Sequence, residues 1–216
     1  MPAVEHGPVH TTTPGVRAPR LALAYVGGVQ LGAYAVRHLL APDARRRLLL
    51  RCSTNVDNLA AGRWDTLVTS ALLVEAPMDL PYALLLLAVL GYAEYAYGAW
   101  WAAAAFLWGH AGASLIVYGA LRARHADRAT RSATDVGVSY GLYAVAGALA
   151  TAVPHRPART AVCATLLALG VRPLLRGRGR VTFTDAGHLV ALLLGAALGP
   201  ALARGRRRGL GRRSSQ

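Results

Sequence analysis

The sequence predicts an all-α, polytopic membrane protein built as a six-transmembrane-helix bundle, and three observations carry that prediction. Apolar residues make up 54% of the chain and charged residues only 16%. Runs rich in Ala, Leu, Gly and Val recur at about 20 residues each, the length that crosses hydrocarbon at the rise of an α-helix. The basic residues are all arginine and cluster between these runs, where membrane proteins meet lipid headgroups.

A polar, proline-containing arm over residues 1–20 is expected to be disordered, and the first span covers 21–40. It flows into further apolar runs and is read as a retained helix, not a cleaved signal. The connection over 42–78 carries too many charges to span, yet LLL, LVTSALLV and Trp64 suit short amphipathic helices at the interface. The second span begins at Pro81 and ends near Gly98, and the third follows at once to Leu121. After the link RARHADRATRSAT, the fourth span is expected over 135–153, and PHRP makes a turn with Pro154 and Pro157 limiting the helix on each side. The fifth span covers 158–175 and the sixth 185–202. The membrane domain thus occupies 21–203, with a basic tail over 204–216.

Six spans put both termini on one side, and the dense arginines of the tail make that side cytoplasmic. The resulting localisation is an integral protein of a bacterial plasma membrane, with the bilayer itself as one partner. The net charge of +14 does not argue for nucleic acid, because the arginines sit between apolar segments and not on one separate basic region. Transport would call for charges within the spans or paired interrupted helices, and neither pattern is evident. Cys52 and Cys163 form no metal-like cluster, so neither a metal nor another cofactor is expected. The pattern G-x-S-x-G from Gly137 to Gly141 matches a hydrolase nucleophile elbow only in an alternating α/β chain, which this is not.

Chemistry concentrates at two positions. Ser139 lies near the start of the fourth span and His188 near the start of the sixth. These spans run in one direction, so both side chains lie at similar depth below one membrane face. A serine becomes a nucleophile when a neutral histidine can take its proton. Gly137, Gly141 and Gly187 beside them, with Gly195 and Gly199 further along, allow helix backbones to approach closely. Asp135 and Asp185 read as helix-start caps. Glu94 reads as a structural acceptor toward the opposite face.

The stretch GVSYGLYAVAGAL, with Gly137, Ser139, Tyr143 and Gly147, resembles the fourth-helix motif of the rhomboid family of intramembrane serine proteases. AGHLVALLLGAALG is similar to its sixth-helix motif at Gly187, His188, Leu189, Gly195 and Gly199. WDTLVTSALL from Trp64 and GYAEYAYG with Glu94 resemble segments before and at the end of the family's second helix. The resemblance implies a six-helix core and a catalytic Ser139–His188 dyad without an acid. It further implies hydrolysis of peptide bonds in or near the transmembrane segment of a substrate or client protein, with no cofactor.

Two features depart from the family pattern. Tyr140 stands where glycine usually follows the serine, and VEAPMDLPYALL lacks the histidine and asparagine that help hold the oxyanion. The backbone N–H of Ser139, Asn55 and Asn58 in the long connection, and His110 are the substitutes at hand, the side chains among them also suiting structural roles. The alternative function is a catalytically inactive rhomboid-like protein that binds client transmembrane helices.

Overall fold

The computed structural model describes residues 18–175 and 182–213. The N-terminal arm up to residue 17, most of the 176–185 link and the last three residues of the tail lie outside the described residues. Ten α-helices are described: α1 (Arg20–Leu39), α2 (Pro42–Cys52), α3 (Val56–Ala60), α4 (Thr66–Thr69), α5 (Leu80–Tyr97), α6 (Ala99–Ala123), α7 (Arg128–Arg131), α8 (Ser139–Ala152), α9 (Arg156–Leu175) and α10 (Phe183–Arg213). A 3₁₀ turn over Ser70–Leu72 continues α4.

Three helices, α5, α6 and α9, are long and apolar enough to cross a membrane, and the apolar part of α10, Phe183–Gly199, is shorter. The chain is therefore an integral membrane protein of all-α architecture. The expectation of six full-length spans is not met by this criterion. The 14 residues of α8 extend only about 21 Å, short of the roughly 30 Å hydrocarbon core. Its first four expected residues, 135–138, leave the helix for a loop that makes specific hydrogen bonds described below. Helix α9 starts at Arg156, so Pro157 sits inside its first turn, where a missing N–H costs nothing, and does not stop the helix.

Local chemistry explains the helix boundaries. The N–H groups of Leu21 and Ala22, unsatisfied at the start of α1, donate to the Glu94 carboxylate at 3.1 and 2.9 Å. Gly98 closes α5 with φ of 93°, a left-handed conformation that glycine tolerates, and its N–H reaches Glu94 O at 2.8 Å. Helix α6 leaves immediately in a new direction. Thr182 and Asp185 cap α10 reciprocally: the Asp185 carboxylate accepts from Thr182 N and Oγ1, and Asp185 N donates to Thr182 Oγ1 at 3.2 Å.

Helix α8 is the centre of the bundle. It packs against α5, α6, α9 and most extensively α10, while α1 packs on α5 and α5 on α6. The main core combines Val26 and Val29 of α1, Leu86 and Leu90 of α5, Phe106 of α6 and Leu142 and Val145 of α8. Outward faces are apolar too: Leu84, Leu85, Ile116, Leu167 and Leu169 are all exposed, as expected where the solvent is lipid.

Small residues set the α8–α10 distance. A Cβ on Gly147 would collide with the backbone of Leu192, and one on Gly195 with the backbone of Ala144. Thr151 adds a hydrogen bond across the contact, donating to Ala196 O at 3.1 Å. Gly147→Val and Gly195→Val are therefore expected to destabilise the bundle by about 1–3 kcal/mol or more. Gly28→Ala, placed where nothing lies within 4 Å, is expected to be neutral or stabilising by up to about 1 kcal/mol. Thermal unfolding of the three variants in detergent checks the contrast.

Candidate active site

Ser139 is the first residue of α8, and His188 lies in the second turn of α10. Close packing of the two helices brings His188 Nε2 and Ser139 Oγ to 2.9 Å, with both residues half-buried. Two aromatic rings fix the imidazole. Tyr143, one turn along α8 from Ser139, stacks on it at 4.6 Å between centroids and 17° between planes. Tyr140 meets it edge-on at 5.5 Å and 83°.

Tyr140 therefore does not crowd the serine. Successive helix residues point about 100° apart, and the Tyr140 ring is buried in the gap toward α10, where a Cβ on Gly187 would strike it. Gly187 makes room for the large residue beside Ser139. With Ala113 and Ala191, Tyr140 forms a small apolar cluster distinct from the main core.

The peptide leading into Ser139 is held by the long interfacial connection. Ser70 O accepts from Gly137 N at 2.9 Å, Asp135 O accepts from Thr54 N at 3.1 Å, and Asp135 N donates to Ser53 Oγ at 2.5 Å. Asn55 Nδ2 reaches Ala133 O at 3.2 Å, and the Tyr118 hydroxyl donates to the Asp135 carboxylate. This corrects the expected cap role of Asp135: α8 begins four residues later, and no side-chain cap is formed at its N-cap, Val138. Asp185 does cap α10, and the hydrogen bonds of its carboxylate go to Thr182.

A second serine–histidine contact lies deeper. Ser70 Oγ and His110 Nε2 are 2.9 Å apart, and Ser70 Oγ also meets Thr54 Oγ1 at 2.8 Å. Thr54 Oγ1 donates onward to Thr66 O at 2.7 Å. Ser70 is 1% exposed and His110 4% exposed, so this pair is sealed from any substrate, whereas Ser139 and His188 are not. Ser70 and Ser53 carried no distinctive sequence signal beyond uncharged hydroxyls in an otherwise charged connection.

The side chains suggested as oxyanion substitutes are committed elsewhere. Asn55 Oδ1 caps α3 by accepting from Asn58 N at 2.8 Å, and Asn58 Nδ2 donates to Leu50 O and Ser53 O. His110 is held in the buried network. Glu94 serves α1 as a structural acceptor, as expected. Cys52 and Cys163 are free thiols, and no cluster of potential metal ligands occurs among the described residues.

A family profile described as rhomboid-like protein matches residues 19–209. No curated protein and no solved structure matches the chain.

Burial pushes the Asp135 carboxyl above the ordinary carboxylate range, against the opposing pull of the Tyr118 hydrogen bond and with a smaller push from Glu75. A raised value means the folded protein binds this proton more tightly than the unfolded chain. Its contribution to stability is then greatest below the unfolded value of about 3.9, and is lost as pH rises through the folded value. In Asp135→Asn, whose amide oxygen still accepts from Tyr118, this decline is expected to disappear. Unfolding midpoints of wild type and variant, compared across pH 3.5 to 7, should diverge in favour of the variant at the upper end.

Proposed function

The chain belongs to the rhomboid-like family, and from that premise we propose that it is an intramembrane serine protease using Ser139 as nucleophile and His188 as base. The observation that carries this reading is the 2.9 Å contact between Ser139 Oγ and His188 Nε2 at the accessible ends of α8 and α10. His188 would accept the hydroxyl proton as Ser139 attacks a peptide carbonyl, and return it to the leaving amine. Water would then resolve the acyl-enzyme by the reverse sequence. Membership of the family supports a substrate presented as a transmembrane segment.

The same reading takes α1, α5, α6, α8, α9 and α10 as six membrane-crossing elements, with α8 as a short span in the centre. It places the protein in a bacterial plasma membrane with both termini cytoplasmic, following the arginine-rich tail. Ser70 and His110 have the same chemistry as the dyad, but their burial argues against a role as nucleophile and base.

The test is labelling with a serine-reactive fluorophosphonate in membranes or detergent. Wild type is expected to label at Ser139, Ser139→Ala to lose labelling, and His188→Ala to label at least about 100-fold more slowly. An adduct on Ser70, or labelling that survives Ser139→Ala, would reject the assignment. Folded wild type that labels with no probe class would instead favour non-catalytic binding of client helices, a reading consistent with Asn55 and Asn58 being tied up in the connection.

A further inference from the structure

We infer that the buried Thr54–Ser70–His110 network is the positioning device for Ser139, acting through the hydrogen bond from Gly137 N to Ser70 O. The inference rests on the reading of Ser139 as nucleophile. It gives His110, a buried imidazole unused by the dyad, a specific task.

Residues 133–138 are not helical, so no intrahelical ladder fixes where α8 starts. Position must come from outside. The external hydrogen bonds to this segment come from Ser53, Thr54, Asn55 and Ser70 of the connection and from Tyr118 of α6. The bond nearest to Ser139 is Gly137 N to Ser70 O, two residues upstream of the nucleophile.

Ser70 sits in a 3₁₀ turn that on its own is too short to be rigid. Its N–H bonds only within the same short element, to Thr66 O and Val68 O, and its side chain ties that element to the rest of the molecule. Thr54 Oγ1 lies on one side at 2.8 Å and His110 Nε2 on the other at 2.9 Å. Thr54 anchors the segment twice, through its hydroxyl to Thr66 O and its own N–H to Asp135 O. Thr54, Thr66 and Ser70 are at most 1% exposed, so water cannot replace a lost partner cheaply. His110 is the member that belongs to a long helix of the bundle, α6, and stacks parallel to Phe106 with centroids 6.5 Å apart. It thereby ties the interfacial connection to α6 of the helix bundle. A shift of Ser70 moves Gly137, and with it the direction of Ser139 toward His188.

The experiment measures the inactivation rate constant and the binding constant of a fluorophosphonate for the full chain, alongside amide hydrogen exchange over residues 133–142. The variants are His110→Ala, Ser70→Ala, Thr54→Val and His110→Gln, the last able to return a hydrogen-bonding group to the place of Nε2. Expected are a roughly 10- to 100-fold lower inactivation rate constant for His110→Ala and Ser70→Ala, as for misplacement near 1 Å, with probe binding unchanged. His110→Gln should restore most of the rate, and exchange at Gly137 should quicken in the three disrupting variants. Thr54→Val keeps the side-chain shape and guards against simple misfolding. The inference is overturned by a wild-type rate with unchanged Gly137 protection, or by a loss that follows unfolding and is not rescued by Gln. If wild type itself never labels, the nucleophile assignment fails, and Gly137 exchange alone decides the anchoring.

Discussion

The close approach of α8 to α10 governs the rest of the molecule. Lipid offers no hydrophobic drive between helices, so association depends on packing and on hydrogen bonds between backbones that can touch. Gly147 and Gly195 permit that contact, and Thr151 bonds across it. Side chains of ordinary size at those positions would separate the axes and carry His188 away from Ser139. The distance between Ser139 Oγ and His188 Nε2 is thus set by glycines about two turns further along the two helices. Tyr140 and Tyr143 then use the narrow space above the glycines to hold the imidazole from two sides.

Helix packing alone does not determine where α8 begins. A helix that started at Asp135 would turn Ser139 down into the second turn, where its N–H is consumed by the helix ladder. The interfacial connection prevents this by taking up the backbone of 133–137 in hydrogen bonds of its own. The connection is therefore part of the architecture of the site and not merely a cover over it. Its short helices α2, α3 and α4 bring Ser53, Thr54, Asn55 and Ser70 to one side of the α8 lead-in.

Much of this was legible in the sequence where a signal is local or periodic. The extents of α1, α5 and α6 follow apolar runs, and Gly98 lies at the break where one helix gives way to the next. Ser139 and His188 could be paired from depth and glycine spacing, and Glu94 could be read as an acceptor from its place toward the opposite face. The start of α8 was not legible, since an aspartate four residues before a serine looks the same as a cap or as a loop residue satisfied by a distant tyrosine. Tyr118 lies 17 residues from Asp135, and Ser53 lies 82. Ser70 and His110 were hidden for the same reason: their meaning comes from a contact spanning 40 residues, which no local spacing encodes.

The departure from the family pattern at the second helix acquires a physical reading in this light. An oxyanion needs donors fixed in advance, because donors that must reorganise lose much of their benefit. Asn55 and Asn58 cannot supply them without undoing the connection that holds 133–137. The free N–H groups at the start of α8 remain, beginning with that of Ser139, and they lie at the positive end of the helix dipole. Backbone donors are only as well placed as the backbone itself. On the proposed reading of Ser139 as nucleophile, the lead-in to α8 would hold both that residue and the groups that stabilise the charge it creates, a demand that fits the buried hydroxyls and amides gathered around residues 133–137.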